Sequence, residues 1–121
     1  MKKQLRIDAR RRLAGTWRSD AAKTMRNWTF PKQLAAKKVR DFRAIFGKMT
    51  WRFTPRAITS QYDGITHRGR WSILWADENS AVVLFSGKDG ENCHHLFFED
   101  KWFFLVAGCA GNVEYFRKID V

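Results

Sequence analysis

Three histidines, two cysteines and a scatter of acids are the residues of this chain that could do chemistry. His94 and His95 are adjacent. On a strand they point to opposite faces and cannot chelate one metal together without a bulge. One of them facing inward could hold a metal or a haem, and His67 lies on another run. Cys93 shares parity with His95, but i, i+2 neighbours on a strand stand too far apart to act as a nucleophile and its base. Asp63 and Asp77 fall in turn-like stretches, where carboxylates serve turn formation. No phosphate-cradling glycine motif and no paired-carboxylate signature occurs. The sequence therefore points to no catalytic residue, metal ligand or cofactor. Cys93 and Cys109 are too few and too ambiguously spaced for a disulfide scaffold.

A heavy aromatic load remains: 6 Trp and 10 Phe in 121 residues. Large rings suit a small barrel or an apolar pocket. Charge is the second marked feature, with a net +11. It is uneven: residues 1–56 hold 17 Lys/Arg against 3 Asp/Glu, and residues 57–121 hold 6 against 9. Such asymmetry suggests an anionic partner, whether nucleic acid, membrane surface or acidic protein. Lys2, Lys3, Arg6, Arg10, Arg11 and Arg12, with Lys37, Lys38 and Arg40, are the candidate patch. Solvated helix faces and a basic leader account for the same charges without a partner.

The elements that must position these residues follow from periodicity. Residues 1–12 are a basic leader, either a frayed helix with Leu5, Ala9 and Leu13 on one side or disordered. They lack the apolar middle of a signal peptide, and no run reaches transmembrane length, so a cytoplasmic location is the default. Residues 13–121 form one domain. Residues 14–19 read as a short strand ending at the helix N-cap candidates Ser19 and Asp20. Ala21, Met25 and Trp28 recur with helical spacing. "PKQLAAKKVRDFRAIFGK" carries Ala35, Val39, Phe42 and Phe46 on one helical stripe and stops at Gly47. From residue 48 the period becomes alternating. Trp51 and Phe53 share one face, as do Trp71, Ile73 and Trp75. Asp63-Gly64 marks a hairpin. "GKDGEN", "EDK" and "GCAGN" separate the later runs. The total is about eight short strands joined by tight turns. This predicts a mainly β protein: an antiparallel up-and-down barrel with a helical segment between strands one and two.

Gly15-Thr16-Trp17 at the start and "EYFRKI" at the end complete the pattern. This order of elements resembles the lipocalin and calycin superfamily, over roughly residues 13–120 but at only a handful of identical positions. A compact intracellular lipocalin-like domain of the bacterial kind fits best. The resemblance implies that the Trp17 indole plugs the closed end of the barrel and that Arg117 lies across it. A nuclear-transport-factor-like cone is the runner-up, and the early Gly-x-Trp strand argues against it.

Two functions stay open. One is a binding protein whose interior, lined by Trp51, Phe53, Trp71, Ile73, Trp75, Phe97 and Phe104, holds a small apolar or amphipathic ligand. The other is a basic module that meets an anionic partner through the N-terminal half. Most aromatics lie in the strands and most cations in the helical half, so the interleaving that favours single-stranded nucleic acid is absent.

Overall fold

A computed structural model describes residues 3–107 and 111–119. Eight strands, β1 (Gly15–Ser19), β2 (Thr50–Phe53), β3 (Ile58–Tyr62), β4 (Ile65–Ala76), β5 (Ser80–Gly87), β6 (Gly90–Glu99), β7 (Trp102–Val106) and β8 (Val113–Ile119), pair in sequence order. The β8–β1 pair closes them into an antiparallel barrel. Closure gives every strand a neighbour on both sides. The architecture is consistent with a calycin fold. Helix α1 (Lys3–Leu13) precedes the barrel, and α2 (Ala21–Arg26) and α3 (Ala36–Arg43) link β1 to β2. Among the described residues no helix is long and apolar enough to cross a membrane.

Of the two alternatives for the leader, the helix is the one present. Ala9 and Leu13 on α1 are buried in the core, and Leu5 packs against it. The helix closes the barrel end that carries the β4–β5 turn, where Leu5, Ala9 and Arg12 face Asp77 and Glu78. Two arginines of the leader are structural: the Arg10 guanidinium lies 4.2 Å from the Trp71 ring and that of Arg12 lies 4.4 Å from Phe98.

At the other end the chain leaves β1 and enters α2, whose N-cap Asp20 accepts a hydrogen bond from the Lys23 amide (3.0 Å). The long helix expected to run to Gly47 is shorter. It ends at Arg43, and Ile45 and Phe46 bond three residues back, to Phe42 and Arg43. Tightening the chain there lets Phe42 and Phe46 both meet Trp28, at 5.3 and 5.2 Å between ring centroids.

Inward side chains follow the strand parity: Trp17, Ser19, Trp51, Phe53, Ile58, Trp71, Ile73, Val83, His94, Leu96, Phe103 and Phe116. The lower interior is solid. Trp51 stacks on Phe116 (4.7 Å), Phe116 on Phe103 (5.1 Å), and Trp17 tilts against Phe103 (4.7 Å).

Three expectations are corrected. Trp75 is 41% exposed, because a bulge between Ile73 and Trp75 shifts the register of β4 and turns the indole outward. Phe97 and Phe104 also lie outside, stacked on each other at 5.3 Å, since Leu96, Phe98 and Phe103 take the inward parity. Arg117 does not lie over Trp17. It is exposed, with its guanidinium 5.7 Å from Trp102, and Lys118 is the cation over Trp17, 5.6 Å from the ring. The register sets this: Trp17 pairs with Lys118 across β1 and β8, so the residue before it faces out.

Candidate functional site

The open end of the barrel is a fork in β4. Residues 65–69 of that strand pair with β3, and pairing with β5 begins only at Arg70. The two arms splay beyond that point. Gly69 stands at the crossing, where a Cβ would fall 2.4 Å from the Ser86 carbonyl oxygen. Glycine here is a matter of space: the backbones of β4 and β5 approach too closely for any side chain.

Between the arms lies a cavity of about 630 Å³. Small-molecule sites commonly fall within about 300–1,000 Å³. Its floor is aromatic. Trp51 meets Phe85 at 5.1 Å and His94 at 5.5 Å, and Phe85 meets His94 at 5.0 Å. Its walls and rim are polar or cationic, with Ser60, Asn92, His67, Arg68 and Lys88, opposed by Asp89. An amphipathic small molecule fits this division: an apolar or ring portion against the floor and a polar or anionic group at the rim.

His94 is the inward member of the histidine pair. Burial holds its pKa below the ordinary histidine value of 6.5, favouring the neutral ring. Among the described residues no group hydrogen-bonds its ring, and none of its nitrogens is sealed from the cavity. A neutral imidazole so placed offers a ligand one donor and one acceptor. His95 faces outward, bonds to Ser80 Oγ (2.9 Å) and stacks on Phe97 (4.1 Å). No group of three or more His, Cys, Asp or Glu that could hold a metal occurs among the described residues. Cys93 is an exposed free thiol, and Cys109 lies outside the described residues.

A buried polar link lies on the β1–β8 side of the same end. Ser19 Oγ donates to Glu114 Oε2 (2.6 Å) and accepts from the Gly47 amide (3.0 Å), joining β1, β8 and the segment after α3. Burial raises the Glu114 pKa, partly countered by the Ser19 hydrogen bond.

Of the seven side chains expected to line a ligand, only Trp51 borders the cavity. Phe53, Trp71 and Ile73 point inward but are packed into the core beneath it. Ser60, Phe85, Asn92 and Arg68 were not singled out from the sequence. Parity from Trp71 through the hairpin register would have found Phe85; nothing in the sequence marks the fork. The structure also separates the basic residues that the sequence grouped. Lys3, Arg6, Arg10, Arg11 and Arg12 lie on α1 at the closed end, whereas Lys37, Lys38 and Arg40 are exposed on α3, which connects strands at the opposite end. Lys2 lies outside the described residues.

No protein-family model, curated protein or solved structure matches this chain.

Proposed function

We propose that this is a small lipocalin-like binding protein that holds an amphipathic ligand in the open mouth of the barrel. The cavity between the β3–β4 and β5–β6 arms carries the reading. An aromatic floor supplies contact area, and the rim supplies charge and hydrogen bonds. The ligand sits shallowly, because stacked Trp51, Phe103 and Phe116 already fill the space below. Nothing in the site requires a reaction. His94 orients a bound molecule by hydrogen bonding.

Titration with a dansyl-labelled fatty acid tests this. One saturable site is expected, with energy transfer from the tryptophans. Ser60→Phe places a ring in the cavity and should abolish the signal while the fold survives. An unchanged signal in Ser60→Phe, or no saturable binding by the native chain, overturns the reading.

A further inference from the structure

The register divides the outside of the barrel into two unlike halves. On β5–β8 the outward residues include Val82, Leu84, Phe97 and Phe104. On β1–β4, every outward position from Thr16 to Ser72 is Thr, Ser, Gln or Arg. None of these four strands contains an Asp or a Glu.

Arg52 and Arg68 stand in one row on either side of Thr59, with Arg18 on β1 and Arg70 further along β4. All four arginines are exposed. Arg18 Nε donates to the Gly47 carbonyl (3.2 Å). Arg52, Arg68 and Arg70 have no hydrogen-bond or ion-pair partner among the described residues, where the one ion pair is Lys23–Glu99. Cations gathered on one acid-free face repel one another and add nothing to the stability of the sheet. Folding therefore does not explain this stripe, and a partner that brings negative charge does.

We infer that the outer face of β1–β4 binds nucleic acid through its phosphate backbone. Arginine forks match phosphate oxygens, and threonine, serine and glutamine are the uncharged side chains that commonly donate to them. The composition argues against a membrane, since apolar side chains that insert strengthen binding to lipid and the outward positions from Thr16 to Ser72 offer none, the exposed Leu74 and Trp75 lying beyond them toward the β4–β5 turn. Its outward aromatic ring, Trp75, lies past Ser72 near the β4–β5 turn, away from the arginines, so the arginine row itself reads the backbone rather than stacking on unpaired bases. These residues lie outside the cavity except for Thr66 and Arg68, so the inference stands apart from the ligand reading.

Fluorescence anisotropy with a labelled DNA duplex tests it, comparing the native chain with Arg52→Gln/Arg68→Gln/Arg70→Gln. The triple variant should bind at least about tenfold more weakly, and its log–log salt slope should shrink by about 2–3, the loss expected for two or three phosphate contacts. A control, Lys37→Gln/Lys38→Gln/Arg40→Gln, removes the same charge from α3 and should weaken binding far less. Equal losses in both variants would mean that net charge alone binds the duplex, which overturns the assignment. So would an absence of duplex binding, including binding only to phosphatidylserine vesicles, or displacement of the duplex by polyglutamate as readily as by unlabelled DNA.

Discussion

Lys118 reaches across the Trp17 indole, its Nζ 5.6 Å from the ring, along a path that Gly15 leaves open. A Cβ on Gly15 would lie 3.2 Å from Lys118 Cε, and Gly15 has φ of +122°. The Gly-x-Trp start is thus one packing unit: the glycine makes room for the lysine stem, and the stem covers the indole. Trp17 is 2% exposed and its Nε1 donates to the Leu13 carbonyl (2.8 Å), fixing it against α1. Trp17→Ala should cost about 3–5 kcal/mol. Lys118→Ala should cost about 1 kcal/mol through lost cation–π and stem packing, and Arg117→Ala less than about 0.5 kcal/mol. Urea unfolding of the three variants checks the order; Arg117→Ala costing more than Lys118→Ala would contradict the assigned parity.

Gly69→Ala should destabilise the barrel by about 1–3 kcal/mol, because the new methyl meets backbone that cannot move aside. Gly64→Ala is the comparison. Its site is spatially open, and its φ of +84° is the whole source of strain. The expected loss there is about 1 kcal/mol. Thermal melts that rank Gly64→Ala as the more damaging would show that β4 and β5 do not cross so closely at Gly69.

Removing residues 1–12 should lower stability by on the order of 3 kcal/mol. Ala9 and the packing of Leu5 would be lost, and Trp71 would lose the Arg10 guanidinium. The truncated chain should also bind more of a dye that reports exposed apolar surface. Melting temperatures equal within error would mean that the leader is an appendage after all.

Glu114 links stability to pH in the direction opposite to an ion-paired acid. Burial raises its folded-state pKa above the ordinary 4.5, so the folded chain holds this proton more tightly than the unfolded one. The stabilisation is full below pH 4.5 and is lost as pH rises through the folded pKa. Glu114→Gln should keep the Ser19 hydrogen bond and flatten that loss, leaving the variant at least as stable as the native chain at pH 7. Chemical denaturation across pH would detect the opposite, a variant that loses stability specifically at neutral pH.

His94 acts in the other sense. Its folded pKa lies below 6.5, so the stability held above that value falls as pH drops through the folded pKa. His94→Phe should reduce this acid-side loss. NMR titration of the His94 ring protons should give a midpoint below that of a histidine in an unfolded peptide; a higher midpoint would mean an anionic neighbour, not burial, governs the ring.

Much of the architecture was legible in the chain. The change from helical to alternating period at residue 48, the Asp63-Gly64 hairpin and the successive short turns required antiparallel neighbours, and eight such strands close. Asp63 and Gly64 both take positive φ as that turn demands. Sequence also separated His94 from His95, because adjacent residues on a strand cannot share a face. It could not say which of the two faces in. "HLFF" and "WFFLV" are apolar at both parities, so hydrophobic alternation gave no direction; pairing with β5 and β8 decided it. The bulge at Ile73–Trp75 inserted one residue and reversed the expected face of Trp75. At the last strand one step of register exchanged Arg117 for Lys118 over the plug. The cavity was illegible because it is made by strands distant in sequence, and only barrel closure brings Trp51 against Phe85 and His94 at one mouth. The arginine row joins consecutive strands, but it needs the residue-by-residue register of two successive hairpins to set Arg52 and Arg68 on either side of Thr59.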